Sequence, residues 1–100
     1  MVKVVWTPFS IDNINDIADF ISIDSRKYSE LFVSKIFEKV HFLEDFPKAG
    51  RVVPEFNKED IRELIYGNYR IVYKIYDYHL DILTIHHSAR LLSDIPLIDN

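Results

Sequence analysis

The sequence predicts an α+β domain in which an αα-hairpin packs on one face of a small, mainly antiparallel sheet, in the order β-α-α-β-β-β. Three observations support this fold: an opening β-branched segment, two segments with helical spacing of apolar residues, and three isoleucine- and tyrosine-rich runs separated by short turns. A chain of 100 residues builds one core. We therefore expect a single domain over residues 1–96, with residues 97–100 as a frayed end.

The first strand is predicted over residues 1–6, which are rich in valine and end in a tryptophan. Thr7 and Pro8 then offer an N-cap and a proline at the first helical position. The following helix has one apolar stripe and one acidic face, as in a helix that covers a core. The stripe consists of Ile11, Ile14, Ile17, Ala18 and Ile21.

A second, longer helix is predicted after Asp24-Ser25, where the pattern breaks and Ser25 offers a new N-cap. It stops before Pro47, because the residue before a proline is disfavoured in the helical region. Its apolar positions repeat at three and four residues and predict the side that faces the core. They are Tyr28, Leu31, Phe32, Ile36, Val40 and Leu43.

The region 48–60 is predicted to be a loop, because it has no sustained apolar period and contains Gly50, Pro54 and Asn57. An antiparallel meander follows, and Gly67-Asn68 suits a tight hairpin turn. The predicted strands cover 61–66, 69–76 and 80–87, and a turn of helix is expected around Leu91 and Leu92 before Pro96.

Alternation along the middle strand of the meander separates the two faces of the sheet. We assign Ile71 and Tyr73 to the face under the helices, which puts Arg70 and Lys74 on the opposite, partly open face. That face is expected to be concave and locally basic.

Composition favours a cytoplasmic protein without a metal or cofactor. The chain has no cysteine, no apolar run as long as a membrane span and no signal-peptide pattern at its start. His86 and His87 are adjacent in a predicted strand and point to opposite faces, so a shared metal site is not expected. The net charge of −4 argues against an obligate nucleic-acid binder.

The arginines are the most informative polar residues, since all but one of them lie outside the predicted helices. Guanidinium groups bind phosphates and other planar anions. Two interpretations remain open: the arginines form an anion site, or each pairs with a nearby carboxylate. The four arginines outside the predicted helices are Arg51, Arg62, Arg70 and Arg90. Their candidate partners are Glu55, Glu59, Glu63 and Asp81.

Taken together, several segments resemble the RelE/ParE superfamily of bacterial toxins from type II toxin–antitoxin modules, also called plasmid-stabilisation toxins. The most specific feature is the arginine-containing strand followed by a terminal His-x-x-Arg. The resemblance is carried by Val4 to Thr7, Gly50 to Glu55, Ile61 to Glu63, Gly67 to Tyr73 and His87 to Arg90.

The resemblance implies a toxin that is neutralised by a cognate antitoxin in a hetero-oligomer, with no role for a membrane. ParE-like members poison DNA gyrase by binding it, whereas RelE-like members cut mRNA on the ribosome. The ParE-like activity is favoured because the basic cluster is thin, the net charge is −4 and no tyrosine follows Arg90.

Under the alternative, endoribonuclease interpretation, the resemblance assigns phosphate contact to Arg70, acid or base chemistry to His86 or His87, and stabilisation of the transition state to Arg90 or Arg51. The catalytic set of that alternative is Arg70, His87 and Arg90. Further contacts to the target or its phosphates are expected from Arg51, Arg62 and Lys74.

Overall fold

The computed structural model describes residues 1–89 and Leu92, and these form two helices on a five-stranded mixed sheet. The predicted α+β fold is confirmed, with one addition: a two-residue strand lies within the region predicted as a loop. The sheet order is β1-β5-β4-β3-β2, with β1 parallel to β5. The elements are β1 (Lys3–Trp6), α1 (Pro8–Ser22), α2 (Arg26–Phe42), β2 (Arg51–Val52), β3 (Ile61–Tyr66), β4 (Tyr69–Ile75) and β5 (His79–His87).

Both helices begin at the predicted caps. The Thr7 hydroxyl accepts a hydrogen bond from the Ser10 amide at 3.2 Å and donates to the Ile82 carbonyl at 2.6 Å, which fastens the start of α1 to β5. The Ser25 hydroxyl likewise accepts from the Tyr28 amide at 3.1 Å. These two caps confirm the helix starts that were predicted from the sequence.

The main core lies between the helices and the sheet, on the side predicted from Ile71 and Tyr73. One part of the predicted α2 stripe is wrong: Tyr28 and Leu31 are exposed. The contact stripe of α2 instead begins at Ser29, whose hydroxyl donates to the Ala18 carbonyl of α1 at 2.6 Å. The buried core residues are Ile14, Phe32, Ile36, Val40, Leu43, Ile71, Tyr73, Leu80, Ile82 and Ile85.

No helix among residues 1–89 is long and apolar enough to cross a membrane. The turn of helix predicted around Leu91, apart from Leu92 itself, and the chain end at 97–100 lie outside the described residues.

Gly50 lies where the chain approaches the core most closely. Its amide donates to the buried Tyr73 hydroxyl at 2.9 Å, and that hydroxyl donates to the Pro47 carbonyl at 2.7 Å. A Cβ atom at Gly50 would lie 2.6 Å from the Glu63 carbonyl oxygen and 2.7 Å from the Tyr73 hydroxyl oxygen. Only glycine fits here without a shift of the backbone or of the Tyr73 ring.

Gly50→Ala is therefore expected to destabilise the protein by about 1–3 kcal/mol, measured by urea denaturation, because the added methyl group overpacks a buried contact. Gly67→Asn is the matched control: Gly67 has φ of +57° with nothing within 4 Å of an added Cβ, and Asn tolerates this conformation. Equal losses in the two variants would contradict the steric explanation.

Candidate functional site

The sheet face opposite the helices is covered rather than open. The chain after β2 turns back over it, with the Phe56 and Asn57 amides donating to the Val53 carbonyl at 3.2 and 2.9 Å. The expectation of an open, basic face is therefore wrong around Arg70, because this loop brings apolar side chains onto the sheet. The second cluster consists of Val53, Ile61, Val72, Leu83 and Leu92, with Phe56 packed against it.

Arg70 lies beside this second cluster with a side chain that is 8% exposed. Its Nη1 and Nη2 atoms donate to the two Glu55 carboxylate oxygens at 2.7 and 2.8 Å, and its Nε donates to Glu63 Oε1. The pair with Glu55 is bidentate, the arrangement that best matches a guanidinium to a carboxylate. Each nitrogen of the Arg70 guanidinium thus donates to a carboxylate.

Glu63 joins this pair to a second arginine. Its side chain has 0% exposure, and its Oε2 atom accepts from Arg51 Nε at 2.7 Å. The pairing of β2 with β3 sets this contact, because Arg51 lies directly opposite Glu63 in the sheet. We call Arg51, Glu55, Glu63 and Arg70 the arginine–carboxylate cluster; its two positive and two negative groups leave it neutral.

The cluster shifts the ionisation of its members. The Arg70 hydrogen bonds lower the pKa of Glu55 from 4.5 to about 2, against a smaller opposing effect of burial. Hydrogen bonds to Glu55 in turn raise the pKa of Arg70 above its usual value, with Glu63 adding to the effect. Both pKa shifts favour the charged forms of Glu55 and Arg70, and therefore the ion pair between them.

Two other predicted contact residues lie away from the cluster. The Arg62 Nε donates to the Glu59 carbonyl at 3.0 Å and its Nη1 to the Gly50 carbonyl at 2.9 Å, so this side chain fastens the loop. The Lys74 Nζ lies 5.2 Å from the centre of the Tyr76 ring. Lys74 is four residues along β4 from Arg70, about 13 Å in an extended strand.

His86 and His87 lie on opposite faces of the sheet, as expected for adjacent residues of a strand. His86 lies directly opposite Arg70 in the sheet and is 4% exposed. His87 lies opposite Tyr69, its ring centre 5.5 Å from that of the tyrosine, and its Nδ1 accepts from the Ala89 amide at 3.1 Å. The structure thus brings His86 to Arg70 and places His87 on the other face, while Arg90 lies outside the described residues.

A second candidate surface lies beside the helices, where aromatic side chains are exposed. Trp6 and Phe37 lie with ring centres 5.0 Å apart and Phe37 is about half exposed. They line a depression of about 270 Å³ between the helices and β1, which we call the hairpin groove. One sequence signal could have found it: Val33 and Phe37 form a second apolar row on α2 beside the core-facing stripe. The hairpin groove is lined by Trp6, Ile11, Ile14, Asn15, Val33 and Phe37.

Across residues 1–89 and Leu92, no group of three or more histidine or acidic side chains is arranged to hold a metal ion.

This fold has a solved counterpart. A chain of the chromosomal ParDE toxin–antitoxin system from P. aeruginosa superposes with a TM-score of 0.71 at 19% sequence identity, covering 87% of this chain and 96% of that chain. The comparison with curated proteins finds no significant match. The two chains therefore share a fold.

The family is established by sequence. The family model described as the ParE toxin of the type II toxin–antitoxin system, parDE, matches residues 4–92. The chain belongs to this family, which confirms the resemblance to the RelE/ParE superfamily and implies an antitoxin as partner.

The ion pair predicts how stability depends on pH. Because the pKa of Glu55 is lower in the folded protein, its contribution is complete above about 4.5 and is lost as the pH falls toward about 2. Glu55→Gln is expected to lose about 1–3 kcal/mol at pH 7 and to show a flatter decline below pH 4.5 in urea-denaturation series. Glu30→Gln, on an exposed pair with Arg26, is the control and should change neither quantity. A parallel acid decline in wild type and Glu55→Gln would contradict this role.

Proposed function

We propose that the chain inhibits growth in the ParE manner, by binding DNA gyrase rather than cutting mRNA, and that its cognate antitoxin neutralises it in the cytoplasm. The observation that carries the proposal is the pairing of Arg70 with two carboxylates. Arg70 is the residue that the ribonuclease alternative needs for contact with phosphate. Its guanidinium is buried, with all three nitrogens donating to Glu55 and Glu63. An arginine held in this way has no free edge to offer a phosphate.

Electrostatics supports the same conclusion. A site that stabilises a transition-state phosphate needs excess positive charge, but the arginine–carboxylate cluster is neutral and the whole chain carries −4. To bind a phosphate, Arg70 would have to leave two carboxylates, one of them with 0% exposure. Removing one partner from a buried ion pair typically costs about 3–5 kcal/mol.

The position of His87 also disfavours the ribonuclease alternative. General acid or base chemistry requires hydrogen-bond reach of the same reacting group. Strand pairing places His87 opposite Tyr69, whereas Arg70 lies opposite His86. His87 and Arg70 thus lie on opposite faces of the sheet. The other candidate histidine, His86, lies opposite Arg70 but is only 4% exposed, so little of it is accessible to an RNA.

The hairpin groove supports the antitoxin part of the proposal. Its lining is largely apolar, and it lies between the two helices and β1. An amphipathic helix of a partner can place its apolar face there. The Trp6 and Phe37 rings are well suited as contact residues, because aromatic side chains bury a large area on binding. A partner segment that folds on binding suits such a surface.

The proposal is tested with purified protein, gyrase and relaxed plasmid. We expect inhibition of supercoiling and accumulation of cleaved DNA–gyrase complexes. Both effects should be prevented when the antitoxin is added first. In a parallel translation reaction, mapping of mRNA 5′ ends should show intact message. Cleavage of mRNA in the ribosomal A site, with normal supercoiling, would replace the proposal with the RelE-like activity.

Variants of the cluster separate a structural Arg70 from a functional one. Arg70→Ala is expected to cost about 3–5 kcal/mol in urea denaturation, because it leaves the buried Glu63 carboxylate without one of its two arginine partners. The double variant Arg70→Met with Glu63→Met removes both buried charges and should stay folded, since replacing a buried ion pair by apolar residues is often neutral. It should still inhibit gyrase.

The activity of this double variant distinguishes a structural Arg70 from a functional one. If it is folded by circular dichroism and retains supercoiling inhibition within about tenfold, Arg70 acts through stability alone. A folded double variant that no longer inhibits growth or gyrase would mean that Arg70 contacts the target.

A further inference from the structure

A pocket of about 280 Å³ lies between α1 and the end of β5, and it shares no lining residue with the hairpin groove. Asn13, Asp16 and Phe20 are spaced by three and four residues and therefore lie on one side of α1. Ile11 and Asn15, which line the hairpin groove, lie on the opposite side of the same helix. We call this second depression the α1–β5 pocket. The side chains that give it its chemistry are Asn13, Asp16, Phe20, Tyr69 and His87.

Hydrogen bonds between α1 and β5 hold the base of the pocket in place. The Asn13 Oδ1 atom accepts from the Thr84 hydroxyl at 2.6 Å and from the Ile85 amide at 3.1 Å. These two bonds fix the separation of the helix and the strand from which the walls rise. The pocket is therefore formed by the fold itself and needs no ligand to open it.

Aromatic rings form much of its wall. The Tyr69 ring makes edge-to-face contacts with Phe32 and His87, with ring centres 5.1 and 5.5 Å apart. The His87 ring is held in turn by the hydrogen bond that its Nδ1 atom accepts from the Ala89 amide. Phe20 contributes a ring from α1 and is 70% exposed. The faces of aromatic rings carry negative partial charge and attract cations.

The net charge around the pocket is negative. Asp16 lies at the pocket with an exposed side chain, and it makes no ion pair with any residue that the structure describes. The pocket lining contains no lysine or arginine. Helix α1 as a whole carries Asp12, Asp16 and Asp19 and no basic residue. A carboxylate beside aromatic rings is the combination that binds a cationic side chain.

We propose that the α1–β5 pocket binds an arginine side chain of DNA gyrase, with its guanidinium against the Phe20 and Tyr69 rings and paired with Asp16. This inference rests on the proposed binding of gyrase and specifies one contact with it. A guanidinium suits the pocket better than an ammonium, because it is planar, stacks on aromatic faces and is more weakly hydrated. A DNA phosphate is a poor occupant, since it would meet the like charge of Asp16.

The position of the pocket favours gyrase over the antitoxin as the source of the arginine. The antitoxin is proposed to occupy the hairpin groove, which lies on the other side of α1. A helix seated in that groove is separated from the pocket by the thickness of α1, about 10 Å. We therefore expect changes in the pocket to affect inhibition of gyrase and to leave antitoxin binding intact.

An NMR titration of isotope-labelled toxin tests the chemistry of the pocket directly. The probe is N-acetylarginine amide, and the control probe is the matching citrulline compound, which has nearly the same shape and no charge. The arginine probe should shift the signals of Phe20, Tyr69 and His87 saturably, with a Kd on the order of 10 mM. Asp16→Asn should weaken this binding at least about threefold, whereas Asp12→Asn, which lies on α1 outside the pocket, should not. Equal shifts with citrulline, or equal affinities of the two variants, would overturn the assignment.

Inhibition of gyrase tests the identity of the partner. The double variant Asp16→Asn with Phe20→Ala changes only exposed side chains and should stay folded by circular dichroism. The concentration that half-inhibits supercoiling should rise about tenfold, while antitoxin affinity measured by calorimetry stays within about twofold. The matched control is Asp12→Asn with Ile23→Ala, which removes one charge and one exposed apolar side chain outside the pocket. The control should change neither quantity.

The outcomes separate this inference from the proposed function. If the wild type inhibits gyrase and the double variant inhibits it equally well, the inference is wrong and the proposed function stands. If the wild type does not inhibit gyrase, both fail. Weaker antitoxin binding with unchanged inhibition of gyrase would identify the antitoxin as the occupant and overturn the choice of gyrase. Probe binding that is seen only after Arg90→Ala would identify the chain's own arginine as the occupant, with the same consequence.

Discussion

The fold depends on one electrostatic constraint: Arg70 is buried, and a buried charge is tolerated only with partners. Glu63 supplies one from the neighbouring strand, and Glu55 supplies the other from the loop between β2 and β3. The loop is therefore held over the sheet by an ion pair as well as by apolar contacts. Covering the second face is what buries the arginine.

Strand β3 connects this constraint to the rest of the molecule. Arg62 and Glu63 are adjacent and point to opposite faces. Arg62 holds the segment around Gly50 through backbone carbonyls, and Glu63 holds Arg51 and Arg70. Arg62 and the Tyr73 hydroxyl thus hold the segment that precedes β2, whereas Glu63 connects β2 to β4.

This arrangement determines which surfaces remain for partners. The second face is occupied by the loop and its ion pairs, and the first face carries the helices. Among the described residues, the apolar surface around Trp6 and Phe37 and the free side of β1 are exposed, and so is a second aromatic pair, Phe42 and Phe46. Exposed apolar surfaces of this kind are suited to the contacts with partner proteins that are proposed above.

Every element except the two-residue β2 could be predicted from the sequence, because caps such as Thr7 and Ser25, the turn at Gly67 and the alternation around Ile71 are local signals. The sequence also identified the family, and it supplied Glu55 and Glu63 as candidate partners of Arg70. The choice between an anion site and an ion pair at Arg70 is visible only in the folded chain. That choice depends on where the loop folds, and contacts between residues distant in the chain leave no periodic signal in a single sequence.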